Sequence, residues 1–532
     1  MPRVESVTPL ATPKMTMSGI RQTKIAQKHH AASMDMDRIA CYRAISTRDA
    51  RFDGRLFVGV KTTGIYCRPI CPARTPKFEN VSFHASAAAA QEAGFRPCLR
   101  CRPEISPELA FWRGTSNTVS RALALIEAGG LDQDDVEGLA NRLGVGARQL
   151  RRLFRQHVGA SPIAVAQTRR VLLAKQLIHD TRLSMAEVAL ASGFGSVRRF
   201  NETFHDLFGR SPATLRRIRD RARREADALS VRLAYQPPYE WEAMRAFLAA
   251  RTIPGVELVT ADSYRRTIAF GKHTGLVTVT PSSKHRVDVT VRFPDMAALP
   301  SIIARVRRVF DLAADPDQIG AHLSQDLALA PLVAARPGLR VPGAWDGFEL
   351  ATRAICGQQI TVTAATKLLG RLVTAHGTPL AASIPDGEGL SHVFPSPRAI
   401  AAADPASFAM PGARARALIA LAQAIAADPM LFSRGASLEQ AIAKLRALPG
   451  IGEWTAQYIA MRELREPDAF PAADIGLLRA MAGSDRRRPS PEQLLARAEA
   501  WRPWRAYAAL HLWAAGATRP ADVEKADARE AA

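Results

Sequence analysis

The sequence predicts a multidomain, mainly α-helical fold, and three observations lead to that expectation. A chain of 532 residues is too long to fold around one hydrophobic core. Four of its six cysteines fall within residues 67–101, which indicates a small α+β domain organised around them. The rest shows helical periodicity except over residues 229–310, where strand-like alternation predicts an α+β layer between two all-α domains.

The charge of the chain indicates a polyanionic partner. The formal net charge is +22 at pH 7, which favours nucleic acid. Membrane lipid is the rival polyanion, but no apolar run is long enough to span a bilayer and no basic amphipathic anchor or lipidation motif is evident. We therefore expect no membrane partner, and the few cysteines fit a reducing compartment.

Residues 1–33 form a basic segment in which Glu5 is the only acidic residue. The segment lacks the apolar core of a signal peptide. A transit peptide is one interpretation. A disordered extension, or an over-extended reading frame with its true start at Met34 or Met36, is the favoured one.

The clustered cysteines form two close pairs, Cys67 with Cys71 and Cys98 with Cys101. Four thiolates in short paired spacings suit one tetrahedral zinc ion, and most such sets are purely structural. The flanking residues 51–69 and 94–101 resemble the zinc domain of the Ada family of methylation sensors. In that family the first of four zinc-bound cysteines accepts a methyl group, so the resemblance implies that Cys67 is the acceptor.

Zinc-bound cysteine remains a thiolate, which is the nucleophilic form, and a methyl phosphotriester carries an electrophilic methyl group. Methylation of one ligand makes the site less negative and should tighten binding to DNA. Basic neighbours are expected to hold the DNA backbone, namely Lys61, Arg68, Arg96, Arg100 and Arg102.

Residues 141–224 are strongly basic and show helical periodicity. A helix, a glycine turn and a basic helix are predicted over residues 136–157, and the same pattern returns over residues 185–208. A helical bundle with a solvated basic face is the alternative, but the matching Gly-X-Ser-Pro endings at 159–162 and 209–212 favour a repeated helix-turn-helix. Side chains expected on the groove-facing helices are Arg148, Arg151, Arg152 and Arg155, then Ser196, Arg198, Arg199 and Asn201.

The segment from about 115 to 222 resembles the DNA-binding domain of AraC-type regulators, which also follows the zinc domain in Ada. This resemblance implies regulation of transcription at promoter DNA, with RNA polymerase as a candidate partner. The next segment is expected to be structural and to help orient DNA. Its predicted strands are 267–270, 275–280 and 287–293, and its predicted helices are 238–250 and 299–310.

Gly450 and Gly452 lie at a tight turn between two apolar helical stretches. Glycine lets a backbone approach another molecule closely, and the first amides of the following helix are free to bind phosphate. The pattern predicts a grip on one DNA strand that does not read bases, although a glycine-rich link between core helices is the alternative. Asp474 follows at a spacing that suggests chemistry on the held nucleotide; a helix N-cap is its alternative role.

Residues 448–456 together with Asp474 resemble the helix-hairpin-helix DNA glycosylases, and most closely the 3-methyladenine DNA glycosylase II type. The resemblance extends over roughly residues 230–515. It implies hydrolysis of the N-glycosidic bond of an alkylated purine that is flipped out of the duplex. Asp474 would stabilise the cationic sugar and orient or deprotonate water. Trp454 stands where bifunctional members carry a Schiff-base lysine, so we expect no strand cleavage.

Aromatic side chains of the last stretch are expected to stack on a cationic base. The resemblance assigns Trp454, Tyr458 and Trp501 to the base pocket and leaves Trp504 and Trp513 to the core.

A wedge must fill the space that the flipped base leaves. It maps to Gln359, where the best-known members have leucine, so Ile360 is the alternative. In the family, hairpin carbonyls can hold a monovalent cation, and here they would be those of Arg446, Leu448 and Ile451. No cysteine follows Cys356, so no C-terminal iron–sulfur cluster is expected.

The leading hypothesis is an alkylation-response protein that joins a methyl sensor, a transcriptional regulator and a base-excision glycosylase. We expect a monomer that acts in the bacterial cytoplasm at the nucleoid, on double-stranded DNA with alkylated bases and methylated phosphates. One alternative is a transcriptional regulator whose glycosylase half only binds DNA; another is a glycosylase that its front half targets to damage. The predicted divisions are a basic extension at 1–33, a zinc domain at 34–113, a double helix-turn-helix domain at 114–226, an α+β domain at 227–314, a helix-hairpin-helix domain at 315–520 and a tail at 521–532.

Overall fold

The computed structural model describes residues 38–106, 117–132, 134–216, 228–283, 285–380, 389–428, 431–432, 438–482 and 487–517. The expected extensions at 1–33 and 521–532 lie outside these residues. The predicted fold class is confirmed, because helices dominate and sheets appear in the cysteine-containing region and in the expected α+β layer. None of the helices in the described ranges combines the length and the apolar character that crossing a bilayer requires.

The cysteine-containing region is a small sheet covered on both faces. Its strands are β1 (Phe57–Val60), β2 (Ile65–Cys67), β3 (Val81–His84) and β4 (Arg96–Pro97), in the order β3-β1-β2-β4. Because successive strand residues point to opposite faces, Val58 packs with α1 (Arg38–Ser46), whereas Phe57 packs beside Ala90 of α2 (Ala87–Glu92). The sheet brings the ends of β2 and β4, where the cysteines lie, next to each other.

Two helix-turn-helix units follow, joined by one long helix. The helices are α3 (Asn117–Glu127), α4 (Val136–Arg142), α5 (Ala147–Val158), α6 (Pro162–Asp180), α7 (Met185–Ala191) and α8 (Val197–Phe208). In α5 the buried residues Leu150, Phe154 and Val158 recur every fourth position, and in α8 the same spacing is kept by Phe200, Phe204 and Phe208. This repeat confirms the predicted pairs of helices.

The α+β layer is a five-stranded antiparallel sheet. Its strands are β5 (Leu229–Ala234), β6 (Glu257–Val259), β7 (Tyr264–Phe270), β8 (His273–Ser282) and β9 (Arg286–Arg292), in the order β5-β9-β8-β7-β6, with α9 (Trp241–Ala249) and α10 (Leu299–Val309). The inward side chains of the sheet share one hydrophobic core with α6, α7, α8 and α10. The second helix-turn-helix unit and the sheet are therefore packed together, and the predicted strands omitted β5 and β6.

The remaining helices form a second large core. They are α11 (Pro316–Leu323), α12 (Ala330–Ala335), α13 (Gly347–Cys356), α14 (Val362–His376), α15 (Pro397–Ala401), α16 (Gly412–Ala427), α17 (Leu438–Arg446), α18 (Glu453–Arg462), α19 (Ile475–Ala480), α20 (Pro491–Ala498) and α21 (Arg505–Ala517), with a short pair of strands β10 (Thr378–Pro379) and β11 (His392–Val393). Helix α13 lies in the interior between α16 and α18, and α19 packs on α21. This packing places the turn between α17 and α18 at the surface.

Candidate functional site

The turn between α17 and α18 requires glycine at one position and leaves open space at the other. Gly450 has a φ of 78°, and a Cβ at this residue would lie 2.5 Å from the Cβ of Ala417 on α16. Gly452 is exposed, begins α18 as its N-cap, and has no atom near the place of a Cβ. Among the described residues no side chain caps this helix, so its first N–H groups are available to a phosphate.

The loop between α13 and α14 is joined to this turn by a hydrogen bond. Gln358 donates from Nε2 to the carbonyl oxygen of Gly450 at 2.9 Å, and Arg414 donates to the Gln358 carbonyl at 2.7 Å. Gln359 follows with a φ of 58° and is exposed, and Ile360 is 37% exposed. The predicted strand grip and the predicted wedge therefore lie on one face of the domain.

The Asp474 carboxylate is held by three N–H donors. Its Oδ1 accepts the backbone N–H of Leu477 at 3.1 Å and the indole N–H of Trp513 at 2.8 Å. Its Oδ2 accepts the indole N–H of Trp454 at 2.8 Å. Asp474 is thus the N-cap of α19, and the same carboxylate is half-buried beside two indoles. The N-cap role and the catalytic role considered for Asp474 from the sequence are therefore compatible with each other.

The structure brings two of the three aromatic residues expected in the base pocket together and places the third apart from them. Trp454 stacks on Tyr458, with ring centroids 5.1 Å apart and planes 11° from parallel. Trp501, expected in the base pocket, lies in the interior: it is 1% exposed, packs edge-on against Phe470, and donates its indole N–H to Asp326. Trp513, expected in the core, reaches Asp474 together with Trp454.

Side chains from α18 and from the α+β layer lie beside the Tyr458 ring and were not expected from the sequence. Arg462 donates from Nη1 to the Tyr458 hydroxyl at 2.5 Å, and the Arg251 guanidinium lies 3.9 Å from the centre of the Phe247 ring. Arg462 also lies over that ring, at 4.9 Å. Burial raises the pKa of the Tyr458 phenol, but the guanidiniums of Arg462 and Arg251 outweigh it, so the pKa is lowered. The spacing of Tyr458 and Arg462 by four residues was the available signal.

The four cysteines of the predicted zinc site come together. The Sγ atoms of Cys67, Cys71, Cys98 and Cys101 all lie within 4.8 Å of one another. Four thiolates at that separation fit a tetrahedral Zn²⁺, whose bonds to sulfur are about 2.3 Å long. The set therefore fits the ion that its spacing predicted.

The four sulfurs are not equivalent. Cys98 and Cys101 are buried, whereas Cys67 and Cys71 are half-buried. Backbone N–H groups donate to three sulfurs: that of Arg100 to Cys98 at 3.3 Å, that of Arg68 to Cys101 at 3.4 Å, and that of Ala73 to Cys71. Hydrogen bonds of this kind stabilise a thiolate and lower its nucleophilicity.

Two of the basic neighbours expected to hold DNA turn inward. Arg68 is buried in an ion pair with Asp53. Arg102 donates to Glu104 at 2.9 Å and to Asp180 at 3.2 Å. Lys61 and Arg100 are exposed and Arg96 is half-buried. The DNA-facing set at this site is therefore smaller than the sequence suggested, because two guanidiniums neutralise buried carboxylates.

The basic side chains of α5 and α8 are placed at the surface. Arg148, Arg151 and Arg152 are exposed on α5, and Arg198 and Arg199 are exposed at the start of α8. Arg151 pairs with Glu137 at 2.9 Å and Arg198 with Glu202 at 2.8 Å. Exposed pairs of this kind are weak, so these guanidiniums can exchange their partners for phosphates. Arg155 instead bridges to Glu92 of α2 at 2.6 Å.

Four family models match successive parts of the chain. They are described as the metal binding domain of Ada over residues 40–104, a helix-turn-helix domain over 139–218, the AlkA N-terminal domain over 230–346, and the HhH-GPD superfamily base excision DNA repair protein over 352–506.

Among similar proteins, the probable bifunctional transcriptional activator/DNA repair enzyme AlkA of Mycobacterium tuberculosis is 43% identical over 480 residues, which are 89% of this chain and 95% of that protein. DNA-3-methyladenine glycosylase 2 of Escherichia coli (strain K12) is 38% identical over 285 residues, 53% of this chain and 95% of that protein. Among solved structures, the 3-methyladenine DNA-glycosylase from Archaeoglobus fulgidus aligns with a TM-score of 0.48 at 22% identity, covering 54% of this chain and 98% of that one.

Proposed function

The chain belongs to the family of bifunctional transcriptional activators and DNA repair enzymes that join an Ada-type zinc domain and a helix-turn-helix regulator to a 3-methyladenine-type glycosylase, and from this premise we propose how its residues perform both activities. The glycosylase half removes alkylated purines from DNA by hydrolysis. The front half senses methyl phosphotriesters and regulates transcription. The observation that carries the proposal is the Asp474 carboxylate held between two indoles beside the hairpin turn.

For base excision, the N–H groups at Gly452 and the start of α18 grip a phosphate, and the α13–α14 loop fills the vacated stack with Gln359 or the more apolar Ile360. The flipped purine, cationic because it is alkylated, stacks on the rings at Trp454 and Tyr458. The bond from C1′ to the base breaks and its electron pair leaves with the base, which becomes neutral. The Asp474 carboxylate stabilises the cationic sugar and accepts the proton of the water that attacks C1′.

The site favours hydrolysis without strand cleavage. A lyase needs an amine that attacks C1′. Trp454 occupies the position on α18 where such a lysine would stand, and Lys444 lies before the turn, paired with Asp428 at 2.9 Å. We therefore expect an intact strand that carries an abasic site as the product.

For sensing, Cys67 attacks the methyl carbon of a methyl phosphotriester. A sulfur–carbon bond forms, the carbon–oxygen bond breaks, and the phosphodiester anion leaves. A bound zinc ion would keep the four cysteines as thiolates. Two observations support Cys67: it is one of the two half-buried cysteines, and N–H donors approach the sulfurs of the other three. The remaining ligands, Cys71, Cys98 and Cys101, then hold a site that has become less negative and binds DNA more tightly.

We also infer that the chain acts as a monomer on promoter DNA, with RNA polymerase as its partner, and in the cytoplasm at the nucleoid. Arg148, Arg151, Arg152, Arg198 and Arg199 are the side chains that we propose contact this DNA. The hairpin carbonyls of Arg446, Leu448 and Ile451 are proposed to bind a monovalent cation. The Leu448 carbonyl already accepts the Ile451 N–H at 3.2 Å, which leaves one lone pair for the ion.

The test of excision compares the release of methylated base from alkylated duplex DNA by the unchanged protein and by Asp474→Asn. We expect release by the first and a loss of at least a hundredfold in the second, because removing one preorganised electrostatic group costs about 10²–10³ in rate. Asp326→Asn is the matched control: Asp326 is also half-buried and also accepts an indole N–H, from Trp501 at 2.8 Å, but it lies in the turn between α11 and α12 of the same domain. Equal release by the unchanged protein and Asp474→Asn would defeat the proposed role of Asp474, whereas absence of release by both would favour a regulator whose glycosylase half only binds DNA.

A further inference from the structure

Helix α3 of the helix-turn-helix region lies against the glycosylase half. Glu127 at its C-terminal end approaches Arg307 of α10, with Oε1 and Nε 3.9 Å apart, and the Ala128 carbonyl accepts the Ser301 hydroxyl at 3.2 Å. In the middle of the helix, Arg121 points at Glu466, with Nε and Oε1 3.9 Å apart. Helix α3 therefore touches the glycosylase half through two different regions.

The Arg121–Glu466 pair is buried at the contact between the two halves. The Arg121 side chain is 1% exposed and that of Glu466 is 5% exposed. Burial lowers the pKa of Arg121 and the nearby Glu466 carboxylate opposes that change. A charge in such a place is tolerated only with compensation, so loss of either side chain removes one compensating charge from the other.

Glu466 belongs to the segment that joins the base-stacking helix to Asp474. Residues 465–468 follow α18, which carries Trp454 and Tyr458, and precede Asp474, which begins α19. The backbone of this segment is fixed at both ends: Glu466 N–H donates to Ala460 O at 3.0 Å, and Pro467 O accepts Ala506 N–H at 2.8 Å. Residues 465–468 therefore lie on the path of the chain between the rings of α18 and Asp474.

Further contacts hold the same segment from within the glycosylase half. Arg465 is paired with Asp311, and Asp468 accepts Arg505 Nε at 2.7 Å. The contact at Glu466 differs from these because its partner comes from the DNA-binding half, 345 positions earlier in the chain. One anchor of the catalytic segment is thus supplied by another domain.

We propose that Arg121 is a positioning residue for base excision: through Glu466 it holds segment 465–468, and with it Asp474, at the separation from Trp454 that the reaction needs. The inference rests on the proposed excision activity and extends it, since it makes the helix-turn-helix half a working part of the glycosylase. A displacement of about 1 Å in such a constellation costs on the order of tenfold to a hundredfold in rate.

The test measures single-turnover base release from alkylated duplex DNA by the full chain, with the enzyme in excess, and the Kd for the same DNA. Arg121→Met should lower the release rate constant about tenfold and leave the Kd unchanged, because Arg121 touches neither the hairpin nor the wedge loop. Exchange of the charges, Arg121→Glu with Glu466→Arg, should restore most of the rate. A lower rate constant with an unchanged Kd, measured below the melting temperature of each variant, distinguishes a positioning contact from a general loss of stability, which the exchange would also repair.

Glu127→Gln is the matched control because it removes a contact of the same helix that leads to α10 and not to Asp474. Its release rate should equal that of the unchanged protein. If Arg121→Met does not fold, Arg121→Lys, which keeps the charge but shortens its reach, should show a smaller loss of rate with the same Kd. A wild-type release rate in Arg121→Met would overturn the inference, and so would a wild-type rate in Arg121→Lys if Arg121→Met does not fold. A loss of rate in Glu127→Gln equal to that in the Arg121 variant would overturn it as well. Absence of release by the unchanged protein would instead overturn the proposed function.

Discussion

The indole N–H of Trp513 donates to Oδ1 of Asp474 at 2.8 Å, across the contact between α21 and α19. With Trp454 on Oδ2 and the Leu477 amide also on Oδ1, the carboxylate is fixed in both position and rotation. A carboxylate so held does not have to reorganise when positive charge develops on the sugar, which is the condition for electrostatic catalysis.

This relationship predicts different outcomes for two tryptophan substitutions. Trp513→Phe keeps an aromatic ring and removes the N–H, so excision should fall about tenfold, because a hydrogen bond to a charged group contributes about 1.5–3 kcal/mol. Trp501→Phe removes the donor to Asp326 from a tryptophan that is 1% exposed, so it should lower the melting temperature and leave the excision rate of the folded protein unchanged. Single-turnover release below both melting temperatures checks this. A larger loss of rate in Trp501→Phe would return Trp501 to the base pocket.

The hairpin turn predicts a contrast between its two glycines. Gly450→Ala should destabilise the protein by at least 1–2 kcal/mol, because alanine at positive φ costs about that much and its methyl group would meet Ala417. Gly452→Ala should fold normally, since the site is open and its φ of −82° suits any residue. Its methyl group would stand where a phosphate approaches, so DNA affinity should fall to the same extent for every sequence. Thermal melts and binding at fixed salt separate the two effects, and sequence-dependent weakening by Gly452→Ala would contradict a phosphate grip.

The cysteine cluster predicts one site of methylation. After incubation with DNA that carries methyl phosphotriesters, mass spectrometry should find one added methyl group, on Cys67. Cys71 is the informative comparison because it is also half-buried but accepts an N–H from Ala73. A methyl group on Cys71 would show that access decides the acceptor. Removal of zinc with a chelator should abolish transfer and unfold the small sheet, because metal binding contributes directly to the folding of such domains.

The parts of the fold that sequence could predict are those fixed by local patterns. Phenylalanines at every fourth position in α8 and cysteines in short pairs specify a helix and a zinc site from near neighbours alone. The need for glycine at position 450 could also be predicted from the local sequence, but the close contact of Gly450 with Ala417 could not.

The parts that could not be predicted depend on how distant elements meet. Trp501 and Trp513 lie in one aromatic segment, and only the packing of α21 on α19 decides which of them reaches Asp474. Phe247 reaches the site from another layer of the molecule. Pairing between residues this far apart leaves no periodic trace in a single sequence.

The burial of His511 in α21 predicts acid sensitivity of the glycosylase half. His511 is 5% exposed, and burial lowers its pKa to about 4 from an ordinary 6.5 because the charged ring is poorly solvated there; the nearby Leu332 carbonyl opposes the change. As the pH falls below 6.5, the unfolded chain binds a proton that the folded chain does not. Stability is therefore complete above that pH and decreases as the pH approaches 4, by up to about 3 kcal/mol.

His511→Gln removes this titration, so the free energy of unfolding should depend less steeply on pH between 6.5 and 4. Denaturant unfolding at a series of pH values, followed by tryptophan emission, measures the two curves. Above the titration of the ring the two proteins should differ by a constant offset, which reports the packing change alone. Towards acid the histidine protein should lose stability relative to the glutamine protein, because only the histidine side chain titrates. Curves that remain parallel down to pH 4 would mean that His511 takes up its proton in the folded state as readily as in the unfolded one.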